Sequence, residues 1–405
     1  MLRKLSVNSL RPGMYITNDV QEGLDHPLLY CAAGMLKRTE DVAAIHDAGY
    51  TEAFVDLARS DKKWRLVYGG SDEAVLSSVF TETPPKPAVL IPQVALQEEL
   101  PQAKRLYAQA VQGAQRVMEG FRRSGQVDID TGIYIVEDIA ASVSRNANAL
   151  PAVAKLSTKD DYTFAHCINV ATTAVIFAKY LGYESSALHL LGLAGFFHDL
   201  GKMEIPVEIL HSPNRLTPEA FAIMRGHPAA GYKHLKQIPD LPEAVALGAL
   251  EHHERINGTG YPNGKKEDEI SLTGKILAIV DVYDALSSRR VYKDPIVPHK
   301  ALGFLYGMRD EDLVPELVGR FIQCIGVYPV GSPVRLNNNQ LAVVSQVDPE
   351  EPLRPQVLPV RTVDGHNTPS RPLDLKLEPS LQITHCLDPH KLQLDTLAIL
   401  ARGAK

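Results

Sequence analysis

The sequence predicts a mainly α-helical protein with a small α+β module in front and a short β-rich appendage behind. Three observations lead there. From about residue 94 to about residue 328, apolar residues recur at helical spacing. Ahead of this lies a linker, 71–93, whose Thr83-Pro84-Pro85-Lys86-Pro87 favours an extended spacer over a helix. Behind it, two apolar runs flank the polar turn Asn337-Asn338-Asn339, the pattern of a β-hairpin.

A length of 405 residues allows two or three domains, each with its own core. The chain is 45% hydrophobic and 22% charged, as expected of a soluble globular protein. Its net charge of -6 supplies no basic face for long nucleic acid, so a phosphate ligand would be small and locally met. Cys31, Cys167, Cys324 and Cys386 are scattered, which excludes a Cys-x-x-Cys zinc site and suggests no disulfide framework. They read as structural thiols in a reducing compartment. No apolar run approaches the roughly 20 residues that span a bilayer, and the N-terminus has no signal-peptide core. The expected location is the cytoplasm, without membrane contact.

Residues 1–70 read as an α+β module of unknown function. Leu5-Ser6-Val7 and Met14-Tyr15-Ile16-Thr17 are short strands around the turn Arg11-Pro12-Gly13. A helix over 39–48 places Val42, Ile45 and His46 on one side and stops at Gly49, before the strand Ala53-Phe54-Val55. Polar residues here are dispersed, so the module suits a scaffold, a sensor or a dimerisation element. Residues 94–149 read as connecting helices, one through Leu106, Val111, Val117 and Phe121, the other over 133–143 after the breaker Gly132. The first is long enough to pair with its copy in a homodimer; packing on the following domain is the simpler outcome.

The segment 150–328 carries the polar clusters. Asp160 or Asp161 caps a helix that runs to Leu181 and is closed by Gly182. His166, Val170, Ala174, Phe177 and Leu181 share one face of it, so His166 lies on the buried stripe. The helix 185–198, apolar through Leu190, Leu191, Leu193, Phe196 and Phe197, delivers His198, Asp199 and Lys202 at its end. His227-Pro228 is a helix start. The helix 242–253 ends in His252-His253, and 272–286 buries Asp281 among Ile276, Ile279 and Val280. The appendage, 329–405, holds the hairpin and a further strand over 357–360.

Alone, His166 would be an ordinary hydrogen-bonded core histidine. Asp281 is different, because a carboxylate amid apolar residues needs a counter-charge or a metal if buried. Neighbours on a helix point about 100° apart, so each of the pairs His198-Asp199 and His252-His253 can serve two adjacent ions. Asp199 then bridges metals roughly 3.5–4 Å apart. A mixed histidine–carboxylate set suits iron, manganese, nickel or zinc better than magnesium or calcium. Two such ions would activate water and clamp a phosphoryl group for in-line attack. Lys202 is placed to neutralise a phosphate oxygen, and a solvated helix cap is its alternative role. In Asn257-Gly258-Thr259-Gly260-Tyr261-Pro262-Asn263-Gly264 the third glycine comes one position late for a dinucleotide fingerprint. The loop reads instead as a tight turn with Tyr261 able to meet a base or a phosphate. Arg290 and Lys293, on one side if their stretch is helical, could reach a second phosphate.

These residues, in this order, resemble the HD-GYP subgroup of the HD-domain metal-dependent phosphohydrolases. The resemblance rests on His198-Asp199 with Lys202, His252-His253-Glu254-Arg255 and Gly260-Tyr261-Pro262. Asp161-Tyr162-Thr163, Gly226-His227-Pro228, Asp281-Val282-Tyr283-Asp284-Ala285-Leu286, Arg290 and Lys293 agree with it across 150–328. Residues 1–70 resemble, more loosely, a domain of unknown function that often precedes HD-GYP domains, through Leu10-Arg11-Pro12-Gly13-Met14-Tyr15 and Phe54-Val55-Asp56. The resemblance implies an HD-domain helical bundle that hydrolyses cyclic di-GMP to pGpG, with or without a further step to GMP. It implies His166, His198, Asp199, His227, His252, His253 and Asp281 as ligands of two divalent ions, with Asp199 bridging. Asp199 and Lys202 would be catalytic, Lys202, Arg290 and Lys293 would hold phosphate, Tyr261 would lie beside the substrate, and Asp284 would support the ligands. Tyr162 stands where trinuclear members have glutamate, hence two ions rather than three, and Asn257 stands where many members have aspartate. A GGDEF-type signalling protein is a further partner to expect. The alternatives are a receptor that binds a cyclic dinucleotide or a partner protein with little turnover, and an HD phosphohydrolase for another cyclic dinucleotide such as cyclic GMP-AMP.

Overall fold

In the computed structural model the N-terminal strands form a sheet with β1 (Leu2–Ser6) antiparallel to β5 (Glu52–Asp56), in the register Leu2↔Asp56 to Ser6↔Glu52. β2 (Tyr15–Ile16), β3 (Leu29–Tyr30) and β4 (Gly34–Met35) complete it. The structure describes residues 2–18, 29–30, 32–61, 64, 68, 88–155, 162–212, 214–288, 296–348, 351–366, 368, 371–388, 392 and 394–402. Alternation along β5 turns Ala53 and Val55 onto a core shared with Leu5, Ile16 and Trp64. Gly13 sits at φ +89°, where a Cβ would strike the Asp61 carboxylate, so this turn requires glycine. Helix α1 (Thr39–Asp47) buries Ile45 and leaves His46 exposed. The expected stripe is therefore narrower than its spacing suggests, because a short helix touches the core along one line only.

The helical body begins with α2 (Leu96–Ser124), ended by Gly125 at φ +70°, a left-handed C-cap. Its apolar stripe packs on α3 (Ile129–Arg145), α4 (Ala149–Ala154) and α5 (Tyr162–Tyr180). Gly132, expected to precede the second connecting helix, lies inside α3. A Cβ there would come within 2.6 Å of the Phe197 ring. Close packing, not helix breaking, accounts for this glycine, and it outweighs a propensity cost of about 1 kcal/mol.

α5 and α6 (Ser185–Phe197) are joined through Gly182, in the left-handed region at φ +84°. At Gly195 a Cβ would approach the Ala171 Cα to 3.0 Å, so the α5 and α6 backbones come as near as glycine permits. After a 3-10 turn (Leu200–Glu204) follow α7 (Val207–Leu210), α8 (Pro218–Met224), α9 (His227–Leu235) and α10 (Glu243–Glu251). α11 (Leu272–Ser287), α12 (Pro298–Met308) and α13 (Pro315–Ile325) close the bundle. Ser6 N–H donates to the Asp240 carboxylate at 2.9 Å and Ser9 Oγ to the Pro239 carbonyl at 2.9 Å. The N-terminal module thus touches the turn between α9 and α10.

The C-terminal sheet has five strands in the order β10-β6-β7-β8-β9: β6 (Pro333–Leu336), β7 (Gln340–Gln346), β8 (Gln356–Thr362), β9 (Leu373–Asp374) and β10 (Ile383–Cys386). Its own small core includes Val334, Leu336, Val344, Val357 and Leu375. α14 (Thr396–Arg402) returns to α2, where Gln97 Nε2 donates to the Leu400 carbonyl at 3.1 Å. Among the described residues no helix is long and apolar enough to cross a membrane. The expected cap at Asp160 or Asp161, and Arg290 with Lys293, lie outside the described residues.

Candidate metal centre

Helix ends do most of the positioning. His166 lies one turn into α5, and the tight α5–α6 contact sets His198, the residue after α6, against it; Asp199 follows. His227 begins α9, held on the 3-10 turn because Gly201 lies so close that a Cβ would overlap the His227 carbonyl. His252 and His253 follow α10, and Asp281 projects from mid-α11. All are buried except His253, whose side chain is 18% exposed.

Asp199 stands between two sets of imidazoles. Its Oδ2 lies 3.2 Å from His198 Nε2 and 3.5 Å from His166 Nε2. Its Oδ1 lies 3.3 Å from His227 Nε2 and 3.7 Å from His252 Nε2. Asp281 Oδ1 is 3.1 Å from His166 Nε2, and its Oδ2 is 3.8 Å from His253 Nδ1. The side chains fall into two sets that share one carboxylate: His166, His198, Asp199 and Asp281; and His227, His252, His253 and Asp199.

The outer nitrogens decide what the inner ones can do. Nδ1 of His198 faces the Gly195 carbonyl at 2.7 Å, that of His227 the Met224 carbonyl at 2.7 Å, and that of His252 the Ala249 carbonyl at 2.9 Å. A carbonyl only accepts, so each of these Nδ1 atoms carries the proton and each Nε2 presents a lone pair inward. Yet His227 Nε2 lies 3.2 Å from His252 Nε2, and His198 Nε2 lies 3.2 Å from His166 Nε2. The bare nitrogens of His227 and His252 repel at that distance, and the His198–His166 pair escapes the same repulsion only if His166 holds a proton there. A shared cation removes the conflict, and the buried Asp199 Oδ1, which has no hydrogen-bond partner among the described residues, would be its ligand as well. The donor set therefore fits divalent ions that take nitrogen and oxygen ligands.

Electrostatics agree. Burial pushes the Asp199 carboxyl up, but the neighbouring His198 imidazole and the Lys202 ammonium hold it well below the usual carboxylate range. Burial and the neighbouring His253, His198 and His227 keep His252 neutral, far below its ordinary value. Burial opposes a charge on His166, yet hydrogen bonds to Asp281 and Asp284 raise it to about 9. A proton thus occupies His166 where a cation would otherwise sit.

Lys202 donates to Asp199 Oδ2 at 2.6 Å, so it leans onto the shared carboxylate and is not a solvated helix cap. Asp284 Oδ2 meets His166 Nδ1 at 2.7 Å and its Oδ1 accepts from Ser288 Oγ at 2.7 Å, orienting the ring from behind. The Tyr261 ring lies 4.6 Å from that of His253, inclined by 31°. Three residues of this rim were not anticipated from sequence. Arg225 sets its guanidinium 4.8 Å over the Tyr261 ring. Buried Glu254 accepts from Asn263 N at 2.8 Å and Lys265 N at 3.0 Å, pinning the glycine loop. Buried Glu251 accepts from Ser271 N at 2.8 Å and Lys265 Nζ at 2.6 Å. Two glutamates flanking a double histidine at the end of an apolar helix were the available signal. Gly260 lies so near Glu254 and Arg255 that a Cβ would fall 2.3 Å from the Arg255 nitrogen.

Comparison with known proteins adds independent findings. A family model described as HD domain matches residues 135–317, one described as a domain of unknown function matches 2–131, and a KOW domain associated with HD domain matches 333–395. A cyclic di-GMP phosphodiesterase of Pseudomonas aeruginosa is 32% identical over 358 residues, 88% of this chain and 84% of its own length. A 3'3'-cGAMP-specific phosphodiesterase of Vibrio cholerae is 36% identical over 157 residues, 38% of this chain and 30% of its own length. A solved HDG"Y"P protein from Bdellovibrio bacteriovorus aligns with TM-score 0.47 and 18% identity, covering 79% of this chain and 98% of that one.

Proposed function

Because the chain belongs to the HD-domain phosphohydrolases of the HD-GYP type, we propose that it is a metal-dependent phosphodiesterase that opens cyclic di-GMP to linear pGpG, with or without a further step to GMP. The observation that carries this reading is the pair of facing imidazole contacts around one shared carboxylate. His166, His198, Asp281 and Asp199 Oδ2 would hold one divalent ion; His227, His252, His253 and Asp199 Oδ1 would hold the other. Iron, manganese, nickel or zinc suits these donors. When bound, two such ions supply Lewis-acid chemistry, lowering the pKa of water and polarising the phosphodiester.

The chain's own groups account for the rest. Asp199, kept ionised, fixes the spacing of the two ligand sets. Lys202 holds a positive charge beside Asp199, where it would meet the charge that develops on the phosphoryl oxygens. Tyr261, packed between His253 and Arg225, would meet the substrate at the rim through its edge and hydroxyl. Arg290 and Lys293 would hold the second phosphate. Water adds to phosphorus, the P–O ester bond breaks, and the leaving oxygen takes a proton to become a free hydroxyl.

The test loads metal-free protein with iron, manganese, nickel or zinc in turn and follows cyclic di-GMP by chromatography. Cleavage to pGpG with at least one metal is expected. Cyclic di-GMP binding without cleavage under all four would overturn the enzyme reading in favour of a receptor. The Vibrio relative gives a second substrate specific support, so cyclic GMP-AMP belongs in the same assay. Faster turnover of that dinucleotide would reassign the substrate while leaving the chemistry intact.

A further inference from the structure

A second concavity lies away from the metal centre, between the helical body and the C-terminal sheet. It encloses about 480 Å3, within the roughly 300–1,000 Å3 of small-molecule sites. None of the proposed metal ligands lines it. Leu150 of α4, Ile176 of α5 and Ile325 of α13 give it apolar walls.

Its polar groups are unevenly satisfied. Thr172 and Ser332 both line the cavity, and their buried hydroxyls have no hydrogen-bond partner among the described residues. In a folded protein such groups call for a missing partner. Each lining acid is engaged: Asp348 by Lys376 at 2.6 Å, Asp284 by His166 and Ser288, Asp374 by the Lys376 N–H at 2.9 Å, and Asp388 likewise has a partner. Lys155, by contrast, gives its ammonium to the Val330 carbonyl, and Arg354 donates to the Leu375 carbonyl at 2.7 Å. Neither meets a carboxylate among the described residues. Burial pushes the Lys155 ammonium down to about 8, the behaviour of an enclosed cation that lacks a counter-ion.

We propose that this cavity binds a small amphipathic anion, an apolar body carrying one carboxylate or phosphate, with Lys155 as its charge partner. The apolar walls take the body, and the unsatisfied hydroxyls supply donors beside it. A hydrogen-bonded chain leads from the cavity to the metal centre. Tyr107 O–H donates to Asn169 Oδ1 at 2.9 Å, Asn169 Nδ2 to Ser288 Oγ at 3.5 Å, and Ser288 Oγ to Asp284 Oδ1 at 2.7 Å. Asp284 in turn holds His166 Nδ1. Tyr107, Asn169, Ser288 and Asp284 all line the cavity, so a ligand that shifts this chain shifts a proposed metal ligand. This coupling, unlike the binding itself, rests on the metal reading of His166.

Calorimetry of the full-length protein with decanoate and decanol tests the binding. Decanoate should bind saturably and at least about tenfold tighter than decanol, a modest share of what a desolvated charge pair can supply. Lys155→Met should erase that ratio, and Thr173→Phe, which fills the cavity, should abolish binding of both while thermal unfolding stays cooperative. No saturable decanoate binding, equal binding of the two probes, or unchanged binding in Thr173→Phe would overturn the proposal. Metal-depleted protein should still bind decanoate saturably, its affinity differing only by the same factor as the coupling described next, so the cavity is tested independently of the phosphodiesterase reading. Saturating decanoate should also change manganese affinity at least about twofold in wild type and not in Thr173→Phe, the size of a weak allosteric coupling. An unchanged manganese affinity in wild type overturns the coupling to His166.

Discussion

Asp284→Asn separates the two halves of the proposed metal centre. Asp284 touches one ligand only, His166, through the 2.7 Å contact to Nδ1. An asparagine keeps an acceptor oxygen there, and its amide can donate to Ser288 Oγ, now the acceptor in a contact of 2.7 Å. Shape is conserved and one negative charge is lost. Removing such an outer partner typically costs about 10–100-fold in metal affinity, or roughly 1.4–2.8 kcal/mol at 1.4 kcal/mol per tenfold. The loss should fall on the ion held by His166 and His198. For the ion held by His227, His252 and His253, the His227 and His252 rings are oriented by backbone carbonyls, which the substitution does not reach. Manganese titration against a competing chelator, read as two binding steps, should therefore show one step weakened and the other unmoved. Asp199→Asn, at the shared carboxylate, should weaken both. If Asp284→Asn weakened both steps equally, or neither, the division of ligands into two sets would be wrong.

Other perturbations probe the scaffold. Gly195→Val would force α5 and α6 apart, because even a Cβ stands 3.0 Å from Ala171 Cα; about 1–3 kcal/mol of stability should be lost by overpacking, with metal content falling alongside, as read by denaturation and elemental analysis. Gly260→Ala places a Cβ 2.3 Å from the Arg255 nitrogen; turnover should fall about tenfold or more through misplaced geometry while metal content holds. Glu99 is 2% exposed and joined to Arg145 at 2.7 Å and Ser142 at 2.8 Å. Arg145→Ala should cost roughly 3 kcal/mol, the low end for breaking a buried pair, since the arginine retains 30% of its exposure. Burial raises the Glu99 carboxyl, but Arg145 and Ser142 lower it further, so its folded value lies below the unfolded one. Its contribution is complete above the unfolded glutamate value and is lost as pH falls through the folded one. Denaturant stability measured over a pH series should therefore fall in wild type as pH drops through that range, and Glu99→Gln should lack this step.

Helix-ending histidines were legible because apolar periodicity runs straight into them. Phe196-Phe197 before His198 and the apolar α10 before His252 leave a reader little choice but to bury those rings. Strand count in the appendage was less legible: β9 has two residues and β10 four, too short for alternation to register. Gly132 misled for a related reason, since a glycine chosen for contact with Phe197, distant in sequence, looks the same as one chosen to end a helix. The decisive feature of the site was beyond one-dimensional reading altogether. That His198 and His252 both spend Nδ1 on a carbonyl in the preceding turn is local, and follows from helix geometry once the ring points inward. That their Nε2 atoms then confront His166 and His227 depends on where Gly195 and Gly201 let backbones approach. Local helix structure fixes which nitrogen is bare, and long-range packing fixes what it faces; only the product of the two makes the cluster a candidate cation site.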